Sequence, residues 1–140
     1  MAFTGNYSCN TLRSGLADAS INLSSDTFYL ALYTNAATLD ETTTAYTSDG
    51  EASGGDYVAG GLAVTATVSS VTTASGSIVY VTFSSPSWTG AITARGALIY
   101  DTTSGAAICV LDFGNDKTSS NTFTVTMPAN TSTSALIRLV

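Results

Sequence analysis

From Asp26 onward the apolar residues of this chain recur every second position. Phe28, Leu30 and Leu32 alternate with Tyr29, Ala31 and Tyr33; Leu62, Val64, Ala66 and Val68 alternate with Ala63, Thr65 and Thr67; Phe123, Val125 and Met127 alternate with Thr122, Thr124 and Thr126. A period of two places successive side chains on opposite faces of an extended backbone, so these runs read as half-buried β-strands. Ile78 to Phe83, Ala97 to Tyr100, Ala107 to Phe113 and Ala135 to Val140 are apolar at both parities, which predicts strands covered on both faces. Gly-bearing breaks such as Ala74-Ser75-Gly76 and Thr103-Ser104-Gly105 separate the runs. The expected fold is therefore all-β: an antiparallel β-sandwich, jelly-roll or immunoglobulin-like, of seven to eight strands.

The first 25 residues break this period. Leu12 and Leu16 stand four apart with Ala19 on the same side, Asn10 or Thr11 is placed to cap, and no Pro intervenes before Ile21. That pattern predicts a short amphipathic helix, too thin to stand alone. The division expected is an N-terminal arm or short helix over 1–25 and a single sandwich domain over 26–140. Within that domain Thr34 to Gly61 is long, polar and glycine-rich. It is expected to be an ordered excursion pinned by Tyr46 and Tyr57, with Gly54, Gly55, Gly60 and Gly61 at positive φ or in close backbone approach.

A chain of 140 residues buries roughly 70 % of its unfolded surface, so it needs neither disulfides nor a structural metal to hold a core. Cys9 and Cys109 read as two reduced, mostly buried thiols. With Lys+Arg 4 against Asp+Glu 10 the net charge is −6, and Arg13, Arg95, Lys117 and Arg138 are scattered, which excludes a phosphate-tracking groove and hence nucleic acid as a partner. Only 10 % of residues are charged, while Ser and Thr fill 43 of 140 positions. Such a hydroxyl surface suits a secreted module or a subunit packed among neighbours. No apolar run approaches the ~18 residues that span a bilayer, so no membrane is expected, and the opening stretch shows no positive region followed by an apolar one, so no targeting signal is read there.

Catalytic constellations fail by inventory. His is absent, which removes the Ser-His-Asp relay, the Cys-His pair and imidazole metal ligands. Lys117 is the one lysine for a Ser-Lys arrangement and follows a turn-like Asp112-Phe113-Gly114-Asn115-Asp116; the kinase-like triplet there lacks its phosphate loop and catalytic Asp. The expectation is a non-enzyme without cofactors. Asp49, Glu51 and Asp56 crowd one loop and form a weak Ca²⁺ candidate whose spacing departs from an EF-hand. Arg95, inside an otherwise uncharged strand, needs a carboxylate partner if buried, and Asp101 or Asp112 can supply it. Trp88 with Tyr80, Tyr100 and Phe83 reads as core, with a glycan-stacking platform as the functional alternative.

The order of segments Phe28 to Thr34, Thr44-Ala45-Tyr46-Thr47, Gly50 to Gly61, Trp88, Ile92 to Asp101, Asp112-Phe113-Gly114 and Thr122 to Thr126 resembles a family of small virion structural proteins of tailed bacteriophages. The likeness covers nearly the whole chain and rests on Glu-x-x-Gly-x-x-Tyr-x-x-Gly-Gly at Glu51 to Gly61 followed by Ala94-Arg95-Gly96-Ala97. It implies a virion structural component, assembled in the host cytoplasm. Taken with the low-charge hydroxyl surface, the missing catalytic inventory and the N-terminal segment, the expectation is a capsid decoration or cement subunit touching the major capsid protein or other virion proteins, a homo-oligomer for which symmetric lattice sites suggest a trimer. The alternatives are a neck or tail accessory subunit (fibre attachment or ring) and, in another class, a host-surface glycan-binding module.

Overall fold

The computed structural model describes residues 3–139. Among them the chain forms β1 (Tyr7–Ser8), α1 (Asn10–Ala17), β2 (Phe28–Tyr33), β3 (Leu62–Val64), β4 (Ala66–Thr73), β5 (Gly76–Phe83), β6 (Ser87–Thr89), β7 (Thr93–Asp101), β8 (Ala107–Thr118), β9 (Thr122–Thr124) and β10 (Ile137–Leu139). All pairings are antiparallel, in a five-stranded sheet of order β1-β8-β7-β2-β3, a three-stranded sheet β10-β5-β4 and a two-stranded sheet β6-β9. The fold is thus all-β and sandwich-like, as the period of two predicts. The ten strands exceed the seven to eight expected because several pairings are only two or three residues long.

The five-stranded sheet is buried on both sides. Its inner face carries Phe28, Leu30, Leu32, Ala97, Ile99 and Ile108 into one apolar cluster with Val81, Phe83, Trp88, Phe123, Val125 and Ile137 of the smaller sheets and their flanks. Phe28 meets Phe83 edge-on, ring centroids 5.4 Å apart. The outer face carries Ala31, Tyr33, Leu98, Tyr100, Ala107 and Val110 into a second cluster with Phe3, Cys9, Ala37 and Leu39. The reading of Phe28 to Tyr33 as half-buried is corrected here: the Thr34 to Gly61 excursion and the N-terminal segment roof the second face.

Two further boundaries move. Leu62 to Val68 is not one strand. β3 pairs with β2 while β4 pairs with β5, and Thr65 is where the chain changes sheet. The C-terminal run is covered on one face only, because Ile137 is buried while Arg138 and Leu139 are exposed; Val140 lies outside the described residues.

The N-terminal segment is not a separable arm. Tyr7 pairs with Val110 and Ser8 with Cys109, Cys9 N–H donates to the Ile108 carbonyl at 2.9 Å, and Phe3, Leu12 and Ile21 are core residues. The helix is shorter than expected and its N-cap is Cys9 rather than Asn10 or Thr11. Ala19 takes φ 64°, turning the chain so that Ile21 returns onto Gly15, where the ring of space left by a missing side chain is filled by the isoleucine.

Candidate functional site

The strongest polar cluster lies in the Thr34 to Gly61 excursion and centres on Glu51. Tyr46 OH donates to Glu51 Oε1 at 2.6 Å, Tyr57 OH to Oε2 at 2.6 Å, and Gly60 N–H to Oε2 at 2.7 Å. Tyr57 OH also accepts the Leu32 N–H at 2.9 Å, tying the clamp to β2. Tyr100 OH donates to the Gly60 carbonyl at 2.7 Å and its ring stacks on Tyr46 at 5.0 Å, while Tyr33 OH donates to the Thr47 carbonyl at 2.6 Å. Tyr46 and Tyr57 therefore pin the excursion as the sequence predicts. Their common acceptor was missed, because a carboxylate in a polar loop reads as solvated.

The phenols titrate accordingly. The Glu51 hydrogen bond pushes Tyr46 up to about 12, with burial adding to it. Burial raises Tyr57, assisted by its hydrogen bond to Glu51, and burial raises Tyr33 and Tyr100. A tyrosine held neutral beside a carboxylate donates its proton as a hydrogen bond, so the cluster is a structural clamp.

Gly54, Gly55, Gly60 and Gly61 all have positive φ, at 115°, 51°, 96° and 84°. Gly61 is the most constrained, since a Cβ there would overlap the Leu30 carbonyl oxygen. The turn these residues shape presents Val58, 69 % exposed, with Leu62, 38 % exposed, following it.

The three loop carboxylates of the weak Ca²⁺ candidate are not gathered. Glu51 is engaged by the tyrosines. Asp56 Oδ1 accepts Thr89 N–H at 2.7 Å, and Asp49 is exposed. Among the described residues no group of three metal-ligating side chains forms.

Arg95, 8 % exposed, pairs with Asp112 and not with Asp101, and its guanidinium lies 5.7 Å from the centre of the Phe3 ring. Burial pushes the Asp112 carboxyl up, but the Arg95 hydrogen bond, the Gly114 N–H and the Arg95 charge outweigh it and hold it below the usual range. Gly96 leaves the space that the Phe3 ring fills. Asp101 is fully buried and caps the β7–β8 turn instead, accepting from Thr103 N–H at 2.7 Å, Ser104 N–H at 3.2 Å and Ser104 Oγ at 2.9 Å. Its carboxyl is raised by burial and by a hydrogen bond with Asp26.

Trp88 is 2 % exposed and tilts against Tyr57 at 5.5 Å, and Phe83 is 2 % exposed. Tyr100 is buried as well, so of the four residues read as core or as a glycan platform, Trp88, Phe83 and Tyr100 are core and offer a sugar no open face, while Tyr80 is half-buried on β5. Cys9 and Cys109 are free and buried; burial pushes Cys9 up to about 11 and raises Cys109 as well, so neither is a ready thiolate.

Surface grooves among the described residues include one of about 400 Å³ along β8 and β9 over Phe113 and Phe123, and one of about 430 Å³ between α1, β1 and β10. Neither contains Glu51, Trp88, Arg95 or Asp101. Among the described residues no helix is long and apolar enough to cross a membrane. Comparison with models of protein families, with curated proteins and with solved structures finds no match to this chain.

Proposed function

We propose that this chain is a structural subunit of a tailed-bacteriophage virion, a capsid decoration or cement subunit that binds the major capsid protein. The observation that carries this reading is Val58: an aliphatic side chain 69 % exposed on a turn fixed from behind by Glu51, Tyr57, Gly60 and Gly61. A rigid apolar knob loses little conformational entropy on docking, which favours adhesion over a mobile loop of the same composition.

The resemblance supports the same reading. Its two diagnostic segments are structural: Glu51 to Gly61 builds the clamp, and Ala94-Arg95-Gly96-Ala97 is the stretch of β7 that holds Asp112 and receives Phe3. Both segments serve the scaffold behind the exposed turn and sheet. Stabilisation of the lattice would follow mass action: a subunit that binds only the assembled shell stabilises each site by RT ln(1 + [L]/Kd), summed over many sites.

The test is binding of the purified protein to heads that lack it. Val58→Asp is expected to weaken binding about tenfold or more, roughly 1.4 kcal/mol per site, with the thermal melt unchanged. Undiminished binding by this variant would contradict the proposed contact.

A further inference from the structure

The three-stranded sheet ends on β4, and among the described residues no strand covers its outer edge. β4 and β5 run in unbroken register for their whole length, from Ala66↔Phe83 to Thr73↔Gly76. The Thr65 carbonyl accepts the Ser84 N–H at 2.9 Å. Antiparallel alternation then directs the odd-numbered positions of β4 toward β5 and leaves the N–H and C=O of Ala66, Val68, Ser70 and Thr72 pointing outward. Proteins that stay apart guard such an edge with Lys, Pro or a bulge. β4 reads Ala-Thr-Val-Ser-Ser-Val-Thr-Thr and has none of these.

We propose that β4 pairs antiparallel with the β4 of a second copy of this chain, joining two three-stranded sheets into one six-stranded sheet across a two-fold axis. Charge leaves this edge open to a second copy. Each copy carries −6, and no charged residue occurs between Asp56 and Arg95, a span that contains all of β3, β4, β5 and β6. Two copies repel each other through surfaces that bear their carboxylates and meet at least cost along this neutral edge.

The edge is also self-complementary. A two-fold axis normal to the sheet keeps each inner face on the same side, so even positions must pair with even positions, and the outward hydrogen-bonding set of one copy meets that of the other. The axis therefore passes where Val68, Ser69 or Ser70 faces its own counterpart. Val68, 42 % exposed, shares a face with buried Val81 and Ile137, and pairing about Val68 or Ser69 lets the two Val68 side chains close over that face. Where symmetric lattice sites suggest a trimer, this edge makes pairs.

The inference does not rest on the virion reading, because self-association is measured on the isolated chain with no particle present. Sedimentation of the full chain over a concentration series is expected to show a monomer–dimer equilibrium. Ser70→Pro removes an outward N–H that β5 does not use, and Val68→Lys sets two like charges near the axis. Each is expected to weaken association about tenfold or more with the melt retained. Val68→Cys, Ser69→Cys and Ser70→Cys, oxidised in turn, locate the axis by which position cross-links, and they decide the matter should the first two variants fail to fold. A wild-type chain that stays monomeric throughout, a folded Val68→Lys that dimerises as tightly as wild type, or no cross-link at any of the three positions overturns the proposal.

Discussion

At Glu51 one carboxylate accepts two phenols and a backbone amide. Glu51→Ala leaves those donors without an acceptor and is expected to cost about 2 to 4 kcal/mol, with Glu51→Gln losing less; the shift of the urea midpoint measures both. Arg95→Ala strands the half-buried Asp112 and is expected to cost about 3 kcal/mol, while Arg95→Ala with Asp112→Ala falls well short of the sum of the single losses. Asp112 and Asp101 pull stability in opposite directions with pH. Asp112 has its folded pKa depressed, so its contribution is present above the ordinary carboxylate range and is lost as pH falls through the folded value. Asp101 has its folded pKa raised, so its contribution is complete below the ordinary range and declines as pH rises through the folded value. At pH 7, Asp112→Asn should therefore melt below wild type. Asp101→Asn should melt at or above it, and a lowered melt for Asp101→Asn would contradict the assignment. The pairing of Arg95 with one of two aspartates was legible from its uncharged surroundings. Which aspartate was not, because the choice depends on the register Gly96↔Asp112, a relation between residues far apart in the chain.

Among elements, the period of two located the central strands because one face of each packs in the sandwich core. It could not show that a loop roofs the other face. Tyr33 and Ala31 are apolar for that reason, and their cover, Ala37 and Leu39, stands in a stretch with no periodicity. The helix boundary moved because termination depends on Ala19 at positive φ, a conformation that Gly or Asn would have advertised and alanine does not. The N-terminal segment looked separable because its apolar residues are few, yet each one fills a specific gap: Phe3 over Gly96, Ile21 against Gly15, Leu12 in the main core. Deletion of residues 1–25 is accordingly expected to abolish the cooperative melt, whereas a truncated chain that melts like wild type would show the arm to be dispensable. Gly61→Ala, which combines φ 84° with a clash on the Leu30 carbonyl, should destabilise by about 2 kcal/mol or more, read by the same melt.

For the whole molecule, hydroxyl-rich outer positions and a core buried on both faces of one sheet describe a scaffold that displays Val58 on one loop and a bare neutral edge at β4. The two surfaces are distinct and lend themselves to different contacts, one to a lattice and one to a second copy. The function proposed for this scaffold is adhesion within a particle, and copy number tests it most directly. On that proposal, a quantitative protein census of purified phage particles should find the chain in hundreds of copies, in fixed ratio to the major capsid protein. Around a dozen copies, the count of a symmetric ring, would move it to the neck or tail, and absence from the particle would contradict the account outright.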